Sequence, residues 1–144
     1  MIIGDGPEKE NLRKKSNELG ISQQVKFLGR VTEAEKFQYL SASDGYLSTA
    51  MHEGFGIVFL EAMECGIPVI CYDRGGQVDF LKNGETGFLV KLGEKEAFIS
   101  RVMEILEKPE KCKQIGQYNQ NYIKSFYISN IAKRYFSLFT EVVD

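Results

Sequence analysis

The chain has 144 residues, 43% of them hydrophobic and 26% charged, and its formal net charge is −2. That length suits one domain able to bury a core, and the near-neutral balance excludes a strong global field for nucleic acid or an anionic membrane. Every apolar run falls short of the roughly 18 residues of a membrane span, and no leader is read before the first turn, so a cytoplasmic location is expected.

In chain order, short apolar runs alternate with helical patterns. Met1-Ile2-Ile3 is a strand stub that ends at Gly4-Asp5-Gly6-Pro7. Pro7 suits a first helical turn, and Leu12, Leu19 and Gly20 predict a helix over 8–19. Val25-Lys26-Phe27-Leu28-Gly29 reads as a second strand, and Thr32-Glu33-Ala34-Glu35 as a capping box opening a helix to about Ser41. Gly45-Tyr46-Leu47-Ser48 is a third strand. A helix after Gly56 stops at Gly66 and Pro68, and a fourth strand covers 68–72. Gly75-Gly76 opens a short helix ending at Asn83-Gly84, and Gly87-Phe88-Leu89-Val90 is the last strand. The remainder reads as helical over 94–107, 109–125 and 129–142. The expectation is a single domain over 1–144, with a helical tail from about residue 94.

Strands alternating with helices predict a Rossmann-like α/β fold, a parallel sheet with flanking helices and sites at the carboxyl ends of its strands. The loops 4–6, 48–56 and 73–76 each follow a strand, so they are expected on one sheet edge as one site. Within 48–90, Glu53-Gly54-Phe55-Gly56-Ile57-Val58-Phe59-Leu60-Glu61 carries the chemistry. Glycine-rich backbone at a helix start offers unpaired N–H groups and a positive dipole end to a phosphate. Two glycines alone would be an ordinary tight turn; the flanking glutamates strengthen the functional reading. Glu61, inside an apolar helix, is either paired, at the helix edge, or a bidentate acceptor for vicinal ribose hydroxyls. Glu53, at the end of a strand-to-helix loop, could bind sugar hydroxyls or stabilise charge at an anomeric carbon, or simply favour the helix dipole. Glu64 reads as solvent-facing, and Arg13-Lys14-Lys15 as a solvated helix face.

Weaker signals surround these. Lys9 stands where a dinucleotide fingerprint would place its third glycine, which disfavours a nicotinamide-dependent oxidoreductase. His52, the one histidine, joins no catalytic constellation. Asp73, Gly75, Gly76 and Asp79 suit a nucleotide contact or a plain turn. The three cysteines, Cys65, Cys71 and Cys112, have no metal-ligand spacing, and Cys65 and Cys71, in apolar contexts, are expected as buried thiols in a reducing compartment.

In sequence the chain resembles the C-terminal, donor-binding domain of family 4 glycosyltransferases, enzymes of the two-domain GT-B fold. The resemblance rests on Gly4-Asp5-Gly6-Pro7, Val25-Lys26-Phe27-Leu28-Gly29, the Glu53 and Glu61 pair, Gly66-x-Pro68-Val69, Gly75-Gly76 and Gly84-x-x-Gly87-Phe88-Leu89-Val90, nearly all of residues 1–90. It implies retaining transfer of a hexose from a nucleotide diphosphate sugar to a glycan or lipid-linked acceptor, as in polysaccharide biosynthesis. The nucleotide-sugar is a substrate; no cofactor and no metal are implied. By the same resemblance Glu61 holds the nucleotide ribose and Glu53 faces the donor sugar as the catalytic carboxylate. The backbone of Gly54, Phe55 and Gly56 contacts sugar and diphosphate, and Ser48 and Thr49 line the pocket.

Two departures matter. Asp79 stands where the family has Glu. The family's donor domain also begins with a strand, a Gly-Arg loop and a Lys that neutralise the diphosphate, and this chain starts at what should be the second strand. The acceptor-binding domain is likewise expected from a missing N-terminal segment or a partner subunit, and the isolated chain is expected to be inactive. The competing expectation is a non-catalytic nucleotide-binding or interaction subunit. With the central strand of a 3-2-1-4-5-6 order missing, strands 1–3 and 45–48 would each present an open edge. Closure is expected by direct pairing of those strands, by a partner, or by the missing segment, and an open edge predicts homo-oligomers.

Overall fold

A computed structural model describes residues 1–143, with side chains through Glu141. It divides into two compact units, Met1–Tyr39 and the chain from Leu40 onward.

The first unit holds strand β1 (Ile2–Ile3), helix α1 (Lys9–Glu18), strand β2 (Phe27–Gly29) and the opening of α2 (Glu33–Ser41). β1 and β2 are parallel, with Ile2 opposite Phe27 and Ile3 opposite Gly29. The Ile2 N–H donates to the Lys26 carbonyl (2.8 Å) and the Gly4 N–H to that of Gly29 (2.7 Å). The capping box forms as expected. The Thr32 N–H donates to the Glu35 carboxylate (2.8 Å), and the Glu35 N–H returns to the Thr32 hydroxyl (3.3 Å). Arg13, Lys14 and Lys15 are exposed, the solvated face that was expected. Ser16 is the one buried side chain of this unit, and Ile2, Ile3, Leu12, Leu19 and Ile21 are all exposed.

In the second unit β3 (Tyr46–Ser48), β4 (Val69–Tyr72) and β5 (Gly87–Val90) form a parallel sheet in the order β3-β4-β5. Register runs from Tyr46 opposite Val69 to Ser48 opposite Cys71, and from Val69 opposite Gly87 to Tyr72 opposite Val90. Helix α3 (Ile57–Glu64) joins β3 to β4, and a 3-10 turn over Gly76–Asp79 joins β4 to β5. Helices α4 (Lys95–Glu107), α5 (Pro109–Tyr122) and α6 (Ile128–Val143) follow, with a 3-10 turn over Ile123–Phe126 between the last two.

β4 is buried on both faces, and its period of two divides the core. Val69 and Cys71 join Phe59, Ala62, Met63, Phe80 and Leu81 on one side. Ile70 joins Phe88, Val90, Phe98, Ile105 and Ile115 on the other. A buried amide pins the base of the sheet, with Asn119 Nδ2 donating to the carbonyls of Ile67 and Thr86, both at 3.0 Å.

Four expectations are modified. Among the described residues the strands form two sheets, with β1 bonded to β2 in one and β3 to β4 in the other. The helix expected to reach Asn83 stops at Asp79, because the chain turns to bury the consecutive Phe80 and Leu81. The helix expected over 109–125 tightens after Tyr122, which brings Phe126 edge-on to Phe80 and Tyr122. Of the two cysteines expected to be buried, Cys71 is buried and Cys65 only half-buried; Cys112 is half-buried too, and all three are free thiols. On α6, Ile128, Tyr135, Phe136, Leu138 and Phe139 are exposed.

Candidate functional site

The carboxyl ends of β3 and β4 carry the segment 49–56 and the turn 73–75, and these two loops meet. The Gly76 N–H donates to the Glu53 carbonyl (2.9 Å). At Gly76 a Cβ would overlap the Gly54 carbonyl and approach the Phe55 Cα to 3.2 Å, so only glycine allows the two backbones this close. Gly56 starts α3 with φ +88°, a left-handed conformation, and no side chain caps the helix. A Cβ there would run into the Phe59 ring and stand 3.2 Å from the Glu53 Cγ. The first N–H groups of α3 are thus left with no side-chain acceptor, the state in which a helix start can receive an anion.

Glu53 is half-buried, and its carboxylate accepts the Gly54 N–H at 3.1 Å. Glu61 is half-buried one turn into α3, among Phe59, Ala62 and Met63, which are fully covered. Phe55 is exposed on one side and stacks at a tilt on Phe80 with centroids 5.2 Å apart. The Ser48 hydroxyl accepts the Ala50 N–H at 3.4 Å, while Thr49 and His52 are exposed. On the turn after β4 and its 3-10 continuation, Asp73, Arg74 and Asp79 are exposed. Glu64 is exposed, as expected, and accepts the Tyr127 hydroxyl. Gly4, Asp5 and Gly6 belong to the first unit, where Asp5 pairs with Lys9 at 3.3 Å. No three His, Cys, Asp or Glu side chains converge as a metal site among the described residues.

Two residues that the sequence did not single out stand at this site. Tyr46 packs edge-on to Phe59 at 5.6 Å, and burial pushes its phenol upward, with the charges of Glu53, Cys71 and Glu61 adding to the shift. The available signal was strand alternation, which places Tyr46 on the same face as Ser48. Gln77 is fully buried, and its Nε2 donates to the carbonyls of Tyr72 (3.1 Å) and Arg74 (2.7 Å). Nothing in its sequence neighbourhood announces that role. Burial drives the Cys71 thiol up to about 12, so this cysteine is inert at neutral pH.

The arrangement therefore offers an uncapped helix start, one carboxylate in the loop before it and another a turn into the helix, and an exposed aromatic face. Anion, hydroxyl and ring contacts can all be made from it.

Known proteins share this arrangement of elements. The chain is 34% identical over 105 residues to a lipopolysaccharide core biosynthesis glycosyltransferase of Rhizobium meliloti, spanning 73% of this chain and 30% of that protein. It is 28% identical over 144 residues to the N-acetyl-alpha-D-glucosaminyl L-malate synthase of Bacillus anthracis, spanning 99% of this chain and 37% of that one. Among solved structures, the Anabaena HepE protein in complex with UDP-glucose superposes with a TM-score of 0.84 at 27% identity, over 96% of this chain and 40% of that one. The sucrose-phosphate synthase of Thermosynechococcus elongatus gives 0.83 at 26% identity, over 98% and 37%. The chain thus spans about a third of the length of these relatives, and its α/β architecture is that of the C-terminal half of a GT-B glycosyltransferase. Residues 1–122 match the family described as Glycosyl transferases group 1, and the chain belongs to that family.

Proposed function

We propose that residues 1–144 work as one nucleotide-sugar-binding domain, with a helical tail from about residue 94, in a retaining glycosyltransferase. The parent activity moves a hexose from a nucleotide diphosphate sugar to a glycan or lipid-linked acceptor at the cytoplasmic side. The observation that carries this reading is the joint between the two loops. The Gly76–Glu53 bond holds the Glu53 backbone against the turn after β4, just before the uncapped start of α3, with Glu61 a turn further on. The UDP-glucose in the structure of the Anabaena relative supports the same ligand class.

In this reading the backbone of Gly54, Phe55 and Gly56 meets the sugar and the diphosphate, and Ser48 and Thr49 line the pocket. Glu61 accepts two vicinal ribose hydroxyls, which match the spacing of one carboxylate. As the bond from the anomeric carbon to the diphosphate oxygen breaks, positive charge grows on the sugar, and Glu53 stabilises it. The held backbone means that Glu53 need not reorganise at that moment. No cofactor or metal takes part. Acceptor positioning and further diphosphate cations come from an N-terminal acceptor domain or a partner subunit, so the isolated chain binds donor without transferring sugar. The open edges of β1 and β3 are where such a partner, or a second copy, would add a strand.

Calorimetric titration with UDP, GDP, ADP and UDP-glucose tests this. One nucleoside diphosphate should bind, and Glu61→Ala should weaken it about tenfold or more, as expected for loss of a charged acceptor of two hydrogen bonds. Binding that is indifferent to Glu61 sinks the ribose role. Binding by the full-length protein without any transfer favours a non-catalytic nucleotide-binding subunit.

A further inference from the structure

The turn after β4 rests on one buried amide. Gln77 is 1% exposed, and its two Nε2 bonds, to the Tyr72 and Arg74 carbonyls, close residues 72–77 into a loop. Because both protons are spent on carbonyls, the amide can be oriented only one way. Its Oε1 has no partner among the described residues, so the donor side alone organises the turn.

What the turn touches gives the amide its importance. The Gly76 N–H holds the Glu53 carbonyl. A Cβ on Gly75 would stand 2.8 Å from the Glu53 carbonyl oxygen and 3.2 Å from the Glu53 nitrogen, so that peptide lies against Gly75 as well. Both peptide groups of Glu53 are thus braced by a turn that Gln77 braces in its place. An apolar side chain of similar volume could fill the same space, but it would leave two carbonyls without their donor.

We propose that Gln77 is a positioning residue of the donor site, fixing the turn 73–76 and, through Gly76, the backbone and carboxylate of Glu53. This rests on the donor-binding reading above. Gln77 touches no reacting atom; its effect should fall on the sugar end of the donor, where Glu53 stands, more than on the nucleotide end, where Glu61 stands.

The test compares Gln77→Met with Val78→Ala, an exposed neighbour. Amide hydrogen exchange reads the Gly76 N–H, and calorimetry reads separately the nucleoside diphosphate that binds (UDP, GDP or ADP) and its glucose conjugate. In Gln77→Met the Gly76 amide should exchange about tenfold faster or more while the amides of β4 keep their protection. Affinity for the glucose conjugate should fall about tenfold with the bare diphosphate changed less than about threefold, and Val78→Ala should leave both unchanged. Normal Gly76 protection in folded Gln77→Met, or equal loss for both ligands, overturns the proposal. If that variant does not fold, the native protein decides. Its Gln77 side-chain N–H protons should be protected like backbone amides, and free-glutamine exchange rates overturn the role. A native protein that binds none of UDP, GDP and ADP refutes the donor reading itself, and this is read on a signal separate from exchange.

Discussion

At the scale of single residues, the site is built from positions where one atom more would not fit. Gly56 combines a left-handed backbone with a Cβ position inside the Phe59 ring, and Phe59 is 1% exposed and cannot swing away. Gly54, two residues earlier, has open space around its missing Cβ and an ordinary φ. Gly56→Ala should therefore cost about 2–5 kcal/mol, the sum of left-handed strain and core overpacking. Gly54→Ala should cost less than about 1 kcal/mol, as an unstrained exposed substitution. Urea denaturation of the two variants checks this, and equal losses would show that Phe59 yields.

At the scale of elements, α4 and α5 are clasped by one carboxylate. Glu104 accepts from Lys111 (2.8 Å), Arg101 (2.8 Å) and Lys108 (3.3 Å). Arg101 and Lys111 also stand over the Phe88 ring, each 5.1 Å from its centroid, which ties the clasp to β5. Lys111 first, then Arg101, holds the Glu104 carboxyl down to about 2. A depressed carboxylate stabilises the fold fully above its unfolded value of 4.5, and loses that contribution as pH falls toward 2. A carboxyl NMR titration should place the Glu104 midpoint near that value, and Glu104→Gln should flatten the acid limb of the stability profile between the two. A midpoint at an ordinary glutamate value would show that the three cations do not act together.

At the scale of the whole molecule, the two units differ in what holds them. Met1–Tyr39 buries no apolar side chain, whereas the unit from Leu40 onward contains both core clusters. Stability should be distributed accordingly, since opening free energy follows buried apolar contact. Amides of α1 should exchange about a hundredfold faster than those of β4, and limited proteolysis should cut first before Tyr39. Equal protection in α1 and β4 would mean that something other than core burial secures the first unit.

Much of this was legible along the chain because its signals are local. Proline and glycine punctuation, the Thr32–Glu35 capping box and the apolar runs of β4 and β5 each act within a few residues, and every strand and helix appears in the expected order. The glutamate pair around Gly54-Phe55-Gly56 was equally plain, since its spacing lies within one loop and one helix. Boundaries at 79 and 122 were not, because the chain leaves the helix there to bury Phe80, Leu81 and Phe126 against distant partners. Nor could the sequence disclose that Gly76 closes on Glu53, that Tyr46 packs edge-on to Phe59, or that Gln77 braces the turn. Local sequence fixes backbone preference, which each residue carries with it. Contacts between loops more than twenty residues apart arise only when the sheet brings two strand ends side by side, and that juxtaposition was decided by the tertiary structure.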